Sequence, residues 1–428
     1  MKEAVIKAVV LGAGSRGYDA YGNLILRYQD KIKIVGVAEP NRYRRERISK
    51  IHNIPEENQF ESWEQLLAKE RFADLAIIST MDKMHVEPAV IALEKGYHLL
   101  LEKPMATDIE GCLKIIEAER KTGKKIFVAH VLRYTKFFRK LRELINSGKI
   151  GKLIGIEHKE NIGFFHFAHS FVRGNWRNTI EAAPSILAKS CHDLDILYWL
   201  VGSKAKYLTS FGELIHFKPE NQPQNAADRC LDCPIESECP YSAVKIYTIP
   251  NYKGWPVNTI VDEVTPENVY HALKTGPYGR CVYKCDNNVV DHQITNIEFE
   301  NGVRASFTMS AFTNEINRTL KVFGTHGEII GDFEKGTLEL KRFAFDKEIH
   351  NVRLWDQYGH GGGDEELIKY IISVLKYSKE DPKVSTSAIE SLESHIMAFA
   401  AEESRLNNGK LIDMKEFKEK NKVNYIWR

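Results

Sequence analysis

The sequence lacks an apolar run of the length that spans a bilayer, about 18–20 residues. It also lacks an excess of charge of either sign, because 60 Lys and Arg residues stand against 58 Asp and Glu residues. That balance gives no electrostatic basis for binding nucleic acid or an anionic membrane, and we expect neither partner. The first residues contain no apolar signal-peptide segment, which favours a cytoplasmic protein.

Cysteine is scarce, with seven residues in 428, and the odd number makes a disulfide framework a poor explanation of the fold. Hydrophobic residues form 43% of the chain and charged residues 28%, which is typical of folded globular proteins. A chain of this length exceeds one ordinary domain. We therefore expect a multi-domain protein, with an enzyme as the default class.

Residues 1–130 do contain a regular alternation of two patterns. Short β-branched runs predict strands over 5–11, 32–39, 73–80, 97–102 and 125–130. Amphipathic stretches between them predict helices over 18–28, 43–52, 63–70, 85–95 and 109–122. Such alternation predicts right-handed βαβ units, and hence a parallel sheet covered on both faces.

A glycine-rich turn follows the first predicted strand directly and opens the first predicted helix. Its pattern is Gly-x-Gly-x-x-Gly, in the context that dinucleotide binding requires. Gly12 permits the tight turn, Gly14 lets the backbone approach a pyrophosphate, and Gly17 allows close helix–strand packing. The backbone N–H groups near Ser15 and Arg16 would then hold the phosphates. A turn shaped only by packing is the alternative.

An acidic residue, Glu39, ends the second predicted strand about 20 residues after the last glycine. A carboxylate there binds the ribose 2′-hydroxyl and repels a 2′-phosphate, which favours NAD as the cofactor. Arg42, Arg44 and Arg45 follow closely and could accommodate that phosphate, so NADP stays open.

A second motif ends the strand predicted over 97–102, where Glu102 and Lys103 precede a proline. The carboxyl end of such a strand faces the ligand crevice, so Lys103 would stand beside a nicotinamide. Together with the glycine pattern and with Thr80 and His85, this motif makes the N-terminal half resemble the Gfo/Idh/MocA oxidoreductase family. The resemblance implies that Thr80, His85, Glu102 and Lys103 contact the cofactor.

The resemblance implies an α/β fold of two domains. A Rossmann domain with a doubly wound parallel sheet would occupy 1–130, and an α/β domain with a large, open, mostly antiparallel sheet would occupy 131–428. Strand-like runs support the second sheet independently, over 152–160, 208–216, 289–298, 304–312, 318–323, 328–332 and 337–343. Family members transfer a hydride between NAD(P) and a carbinol of a sugar, cyclitol or related polyol. They commonly assemble through the free face of the sheet, so we expect a homodimer or homotetramer.

The candidate acid–base residues lie near position 190. Relatives often place a histidine base here, and His192 and Asp195 match that pattern. On a helix Lys189, His192 and Asp193 would share one face, and Asp195 would orient the imidazole. A histidine suits removal of the hydroxyl proton, while Lys103 and Lys189 would orient the reacting oxygen. A salt-bridged helix start with a structural histidine is the alternative.

Two polar segments are candidates for substrate binding. Trp176 and Arg177 lie in an aromatic, basic segment before the predicted helix, and aromatic faces with such donors suit sugars. His360 lies in the glycine-rich segment 358–364, which precedes an amphipathic stretch. Asp193 is a further substrate candidate. An ordinary surface loop and a flexible helix entry are the alternatives.

An insertion at about 217–285 holds a group of cysteines with metal-ligand spacing. Three follow the pattern C-x2-C-x5-C and a fourth comes later; they are Cys230, Cys233, Cys239, and Cys281 or else Cys285. Four thiolates in a cytosolic protein favour structural zinc, while an iron–sulfur cluster stays open and ordinary thiols are the alternative. The metal would stabilise a loop-rich insertion that has no core of its own.

Three functions are compatible with these features. The favoured one is an NAD(P)-dependent dehydrogenase of a sugar, cyclitol or related polyol. The second is an NAD-dependent glycosidase like those of the same family, which oxidises a ring carbon transiently, eliminates the aglycone and returns the hydride. The third is a non-catalytic nucleotide-binding protein, against which the glycine pattern, the Lys103 motif and His192 argue. Accumulation of NADH distinguishes the first function from the second.

Overall fold

A computed structural model of the protein describes residues 5–352 and 360–423. Within these residues the chain forms two sheets, a parallel sheet of six strands and a mixed sheet of nine. The expected fold class, a Rossmann sheet followed by a larger, mostly antiparallel sheet, is confirmed. No helix in this part of the chain is both long enough and apolar enough to cross a bilayer.

The parallel sheet is formed by apolar strands that are buried on both faces. In chain order they are β1 (Ile6–Leu11), β2 (Ile32–Ala38), β3 (Gln59–Phe60), β4 (Leu75–Ile78), β5 (His98–Leu101) and β6 (Ile126–Val128). Their order across the sheet is β3-β2-β1-β4-β5-β6. The chain changes direction across the sheet at β1 and β4, and ligands bind at the carboxyl ends of strands at such a point.

Short helices connect these strands. They are α1 (Asn23–Ile25), α2 (Arg42–His52), α3 (Trp63–Ala68), α4 (Val86–Glu94) and α5 (Ile109–Thr122). The helix predicted over 18–28 is instead a π-helical segment, Ser15–Gly22, that continues through α1 into a 3₁₀ turn. Glycines at both ends of this segment weaken the regular α-helical pattern.

The mixed sheet alternates buried and exposed side chains along its strands. They are β7 (Leu153–Asn161), β8 (Ala205–Glu213), β9 (His292–Phe299), β10 (Arg304–Ser310), β11 (Asn317–Gly324), β12 (Gly327–Asp332), β13 (Thr337–Arg342), β14 (Lys347–Asn351) and β15 (Ile412–Asp413). Their order is β14-β13-β12-β11-β7-β10-β9-β8-β15, and β7 pairs with β10 in parallel. Because buried and exposed side chains alternate, one face of such a sheet packs on the core and the other stays open.

Four helices lie in the chain between β6 and β8. They are α6 (Lys136–Asn146), α7 (Phe164–Phe167), α8 (Ser185–Ala188) and α9 (Cys191–Val201). Helix α9 packs against β7, and α6 packs against β13. Every residue of α9 except Tyr198 is buried, so the charged residues of this helix lie inside the protein.

The insertion connects β8 to β9, which pair in antiparallel register from Glu213↔His292 onward. It contains the helices α10 (Ala243–Tyr247), α11 (Val257–Ile260) and α12 (Pro266–Thr275). Because paired strand ends lie side by side, the insertion leaves the sheet and returns to it at one place.

The last helices tie the two sheets together. They are α13 (Gly363–Tyr377), α14 (Ala388–Leu406) and α15 (Met414–Lys420). Helix α14 packs against β8 of the mixed sheet and against α5 and β6 of the parallel sheet. At this junction the Val128 N–H donates to the Thr386 carbonyl at 2.8 Å, and the Met105 N–H donates to His395 Nε2 at 2.8 Å.

Candidate active site

The glycine-rich turn lies at the carboxyl end of β1, beside the end of β4. Gly12 has a φ of +89°, which favours glycine, and a Cβ atom there would stand 2.7 Å from the Ser79 carbonyl oxygen. A Cβ atom on Gly17 would stand 2.0 Å from the Gly12 carbonyl oxygen. A Cβ atom on Gly14 would meet no described atom within 4 Å, so a pyrophosphate can approach there. The turn therefore fits a dinucleotide.

Glu39 follows β2 and faces the same turn. Its carboxylate accepts hydrogen bonds from the backbone N–H groups of Ala13 at 2.7 Å and Asn41 at 3.0 Å. These bonds fix the carboxylate where a ribose hydroxyl would lie. The three arginines that follow all have acidic partners, in the pairs Arg42–Glu46 at 2.6 Å, Arg44–Asp262 at 2.9 Å and Arg45–Glu61 at 3.3 Å.

The Arg16 side chain forms ion pairs with two buried carboxylates. Its guanidinium donates to Glu102 at 2.6 Å and to Asp364 at 2.5 Å, and the Tyr21 hydroxyl donates to the same Glu102 oxygen. Burial alone would lower the pKa of Arg16, but the two carboxylates raise it well above its usual range. Any phosphate contact of Ser15 and Arg16 is thus left to their backbone N–H groups, at the start of the π-helical segment.

His85 joins the loop after β4 to the loop after β5. Its buried ring lies 2.8 Å from the Pro104 carbonyl oxygen and 3.1 Å from the Thr80 carbonyl oxygen. Lys103, between Glu102 and Pro104, donates from Nζ to the Ala188 carbonyl at 2.8 Å. The structure therefore gives His85 a bridging position and places the Lys103 side chain against the carboxyl end of α8, shortly before α9 begins.

The predicted catalytic residues come together at this point. His192 is 4% exposed, and neither ring nitrogen has a hydrogen-bond partner among the described residues. Burial first, and then the charge of Lys103, lowers the pKa of His192 well below its usual range. Lys189 forms an ion pair with Glu160 at 3.1 Å; burial lowers the pKa of Lys189, although Glu160 opposes that shift.

The two acids of α9 have partners other than His192. Asp193 is buried and bound by Arg318 at 2.8 Å and His158 at 2.8 Å, which hold its pKa below the usual range against the effect of burial. Asp195 binds Arg133 through two bonds of 2.7 Å. The expectation that Asp195 orients the His192 imidazole is therefore wrong, because its carboxylate faces Arg133. The expected shared helical face fails too, since α9 begins at Cys191, after Lys189.

His360 stands opposite His192, with the two ring centroids 5.8 Å apart. Its Nδ1 lies 3.0 Å from the Asp364 carboxylate, which also binds Arg16. This chain of contacts links His192 to the glycine-rich turn through Arg16. The remaining predicted residues of this segment, 358 and 359, lie outside the described residues.

Trp176 contacts the loop after β4 through Asp82. The sequence motifs do not single out Asp82. The indole N–H donates to the Asp82 carboxylate at 3.1 Å. Burial raises the pKa of Asp82, although His85 and Lys103 oppose the shift. Arg177 lies apart from this contact and binds Asp286 at 2.9 Å. The sequence signal for Asp82 is its position in the loop directly after β4.

An aromatic cavity of about 600 Å³ opens between the insertion and the segment after β7. It is lined mainly by apolar and aromatic side chains, namely Phe164, Phe165, Pro240, Ile246, Ile249, Tyr252, Trp255 and Pro256. The His166 ring packs edge-on against Trp255 at 4.8 Å between centroids. Burial, followed by the charge of Lys189, lowers the pKa of His166 well below its usual range. His166 therefore contacts the cavity wall and lies near Lys189.

The insertion gathers four of its five cysteines around a second, smaller cavity. The lining thiols belong to Cys230, Cys233, Cys239 and Cys281. Cys285 is not among the lining residues, and its thiol lies 3.3 Å from the Cys281 carbonyl oxygen. Across residues 5–352 and 360–423, no three His, Cys, Asp or Glu side chains have the spacing of ligands to a single metal ion.

Two family models match the chain over most of its length. The oxidoreductase family model for the NAD-binding Rossmann fold matches residues 6–130, and the model for the C-terminal α/β domain of the same family matches residues 142–409. The structure of an oxidoreductase from Agrobacterium radiobacter in complex with NAD+, L-tartaric acid and magnesium superposes with a TM-score of 0.68. The identity is 16%, with 96% of this chain and 99% of that chain covered.

Curated relatives agree with this assignment. YteT of Bacillus subtilis (strain 168) is 23% identical over 386 residues, which are 84% of this chain and 87% of YteT. Inositol 2-dehydrogenase of Corynebacterium glutamicum (strain R) is 28% identical over 203 residues, which are 46% of this chain and 55% of the relative. The glycine-rich turn, the Lys103 loop and the two matched domains lead to one conclusion: the chain belongs to the Gfo/Idh/MocA family of oxidoreductases.

Proposed function

We propose that the protein is an NAD-dependent dehydrogenase that oxidises a carbinol of a sugar, cyclitol or related polyol. The observation that carries the proposal is the state of His192. Its imidazole is buried, both ring nitrogens lack a hydrogen-bond partner among the described residues, and burial together with the nearby charge of Lys103 lowers its pKa. Ring nitrogens without a protein partner can bond a substrate hydroxyl and take its proton.

The reaction then divides among three side chains. NAD+, when bound, supplies the acceptor for the hydride that leaves the carbinol carbon. His192 accepts the hydroxyl proton as the C–H bond breaks. Lys189 and Lys103 donate hydrogen bonds to the substrate oxygen, where negative charge develops before the carbonyl forms. Glu160 holds Lys189 in place through its ion pair.

The electrostatics beside the second strand favour NAD over NADP. Glu39 presents a fixed carboxylate at the ribose position, where a 2′-phosphate would be repelled. Arg44, which could attract that phosphate, is held by Asp262 of the insertion at 2.9 Å. Arg42 and Arg45 have carboxylate partners as well.

The aromatic cavity supports a ring-shaped polyol as substrate. Its volume of about 600 Å³ is in the range that binds small molecules, and its walls offer aromatic faces on which the apolar face of a sugar can stack. The activity named for the Corynebacterium relative, oxidation of inositol at C2, belongs to the same substrate class. Outside this cavity, Trp176 would contribute a further aromatic face, and His360, opposite His192, a polar contact.

A second candidate function is hydrolysis through transient oxidation and elimination. It needs an additional acid, and Asp82 offers one, because burial raises the pKa of its carboxyl beside Lys103. In that reaction the hydride returns to the substrate, so the nicotinamide cofactor ends unchanged.

One experiment distinguishes the two candidate functions. Purified protein is mixed with NAD+ or NADP+ and a panel of polyols, free sugars and aryl glycosides, and both NADH formation and aglycone release are followed. We expect NADH with one polyol class, and a loss of about 10²–10⁴-fold in kcat for His192→Asn. The matched control is His271→Asn, an exposed histidine. Aglycone release without net NADH would support the second function, and unchanged turnover by His192→Asn would contradict both.

The proposal includes assembly into a homodimer or homotetramer through the open face of the mixed sheet. That face exposes apolar side chains on paired positions of adjacent strands, including Phe211 of β8 and Ile294 of β9. Such a patch is typical of a protein interface. A monomeric mass in light scattering at micromolar concentration would contradict this part of the proposal.

A further inference from the structure

His360 lies between the buried His192 and the solvent. The His360 side chain is 35% exposed, whereas His192 is 4% exposed, and the two ring centroids are 5.8 Å apart. After burial and Lys103, the charge of His360 contributes next to the lowered pKa of His192, so each ring senses the protonation of the other. His360 therefore stands where a proton that leaves His192 can reach water.

A buried carboxylate fixes the orientation of the His360 ring. The Asp364 carboxylate lies 3.0 Å from His360 Nδ1 and is also bound by Arg16 at 2.5 Å. Burial alone would raise the pKa of Asp364, but Arg16 and His360 lower it below its usual range. An ionised carboxylate only accepts hydrogen bonds, so Nδ1 carries a proton and donates it. The other ring nitrogen of His360, Nε2, is thereby left as an acceptor.

The backbone at His360 has an uncommon conformation for a histidine. Its φ is +56°, in the left-handed region that glycine adopts far more readily. Glycines 361 and 362 follow and lead into α13, the helix that carries Asp364. The chain thus holds an imidazole at a position where the backbone favours glycine. Such backbone strain clusters at functional sites.

The proposed reaction leaves a proton on His192 that has to depart before the next turnover. Oxidation of the carbinol sends the hydride, with its electron pair, to NAD+ and the hydroxyl proton to His192, and the substrate becomes a carbonyl compound. Burial keeps bulk water away from the His192 ring. Lys103 and Lys189 act as hydrogen-bond donors in this reaction, so neither takes the proton. A further acceptor on the solvent side of His192 is needed.

We propose that His360 carries this proton from His192 to the solvent, an inference that rests on the proposed dehydrogenase function. His360 Nε2 accepts the proton directly or through one bridging water, and Asp364 stabilises the imidazolium that forms. Nε2 then releases the proton to bulk water, so both imidazoles return to their neutral forms. Because His360 acts through His192 rather than on the substrate, it is a positioning residue that directs the proton.

Two substitutions at position 360 suit the left-handed backbone. His360→Gly and His360→Asn both remove the proton carrier, and glycine and asparagine adopt a positive φ more readily than other residues. Glycine leaves a space at the protein surface that free imidazole can enter, whereas asparagine fills part of it. We expect both variants to lower kcat for alcohol oxidation about ten- to a hundredfold, with little change in the KM for the substrate.

The time course of NADH formation distinguishes proton relay from other roles of His360. In stopped-flow mixing of His360→Gly with NAD+ and substrate, the first NADH per site should form at the wild-type rate, because His192 is intact. Later turnovers should be slow, because His192 still holds the proton. Free imidazole should restore most of the lost kcat in His360→Gly and leave His360→Asn and the wild type unchanged.

The outcomes separate failure of the relay from failure of the proposed function. Wild-type kcat in both variants, or a loss in His360→Gly that imidazole does not restore, would overturn the relay and leave the dehydrogenase proposal standing. A raised KM with unchanged kcat would also overturn the relay, since it indicates a substrate contact. No NADH from the wild-type protein with any polyol would overturn both proposals. Because imidazole is added to one and the same variant, lowered stability cannot imitate the restoration.

Discussion

A buried histidine without hydrogen-bond partners, such as His192, keeps its neutral form at pH values where an exposed imidazole takes up a proton. Its depressed pKa means that the proton-accepting form persists below pH 6.5, the ordinary midpoint of histidine. We therefore expect kcat/KM for alcohol oxidation to be retained as the pH falls through 6.5. A loss of half the activity at pH 6.5 would contradict the assignment of His192 as the base.

The contribution of Lys103 to the lowered pKa of His192 can be measured separately from that of burial. Lys103→Gln removes a positive charge that lowers the pKa of His192, so the acid limb of the pH profile should move to higher pH. The same variant should lower kcat about a hundredfold, because one donor to the developing alkoxide is lost. Lys83→Gln, at an exposed lysine of the neighbouring loop, is the control and should leave the acid limb unchanged.

At the residue scale, the proposed preference for NAD is expected to depend on the ion pair between Arg44 and Asp262 of the insertion. Asp262→Ala frees Arg44 to bind a 2′-phosphate, so kcat/KM with NADP+ should rise about tenfold, the value of one charge-assisted hydrogen bond. Steady-state kinetics with both cofactors measures the change. Glu263→Ala, one position along, is the matched control. No gain with NADP+ would show that Glu39 alone sets the preference.

At the scale of elements, two glycines of the glycine-rich turn are expected to have different roles. Gly17 is needed for packing, and Gly14 for cofactor binding. Gly17→Ala places a methyl group against the Gly12 carbonyl oxygen, and it should destabilise the fold by about 1–3 kcal/mol. Gly14→Ala meets open space at an ordinary φ of −72°, so thermal stability should stay unchanged. Its methyl group would instead obstruct the pyrophosphate and raise the KM for NAD+. Thermal melts and kinetics of both variants measure this contrast.

Five of the six strands of the parallel sheet could be predicted from sequence because each is a short, continuous apolar run. The prediction over 32–39 corresponds to β2, and the helix predicted over 109–122 has the bounds of α5. Two strands, β3 and β15, have two residues each, which is too short for a periodic pattern. The predicted strands also omit β14, whose side chains are all at least partly exposed, so no buried face marks it.

In the candidate site, too, some residues could be predicted from the sequence and others could not. Lys103 and His192 stand in local motifs, so the sequence alone indicates a role for each of them. Asp82 does not, because its partner Trp176 is 94 positions away in the chain. The hydrogen bond from Arg318 to Asp193, 125 positions apart in the chain, could not be predicted from the sequence pattern either. Contacts of this range follow from how the two sheets pack.

At the scale of the whole molecule, buried histidines make stability depend on acidity. Burial lowers the pKa of His52 to about 4 and those of His169 and His395 to about 3. Below pH 6.5 the unfolded chain takes up protons at these residues and the folded chain does not. Stability is therefore full above pH 6.5 and is lost as the pH falls towards 4, by at most about 1.4 kcal/mol per pH unit for each histidine.

Thermal melts between pH 7 and pH 4 measure this dependence. His52→Gln, away from the candidate site, removes one of these groups and should make the loss of Tm with acid less steep. His271→Gln, at an exposed histidine, should leave the slope as it is in the wild type. An identical slope for both variants would contradict the assignment of the acid sensitivity to buried imidazoles.

The insertion leaves β8 at Glu213 and returns at His292, and these two residues are paired neighbours in the sheet. Topologically, the whole cysteine-bearing segment occupies the place of a hairpin turn. A short turn at this point would preserve the strand order of the sheet and leave His192 in place on α9. The segment can therefore differ in length or sequence without changing the order of the strands or the position of α9 beneath them.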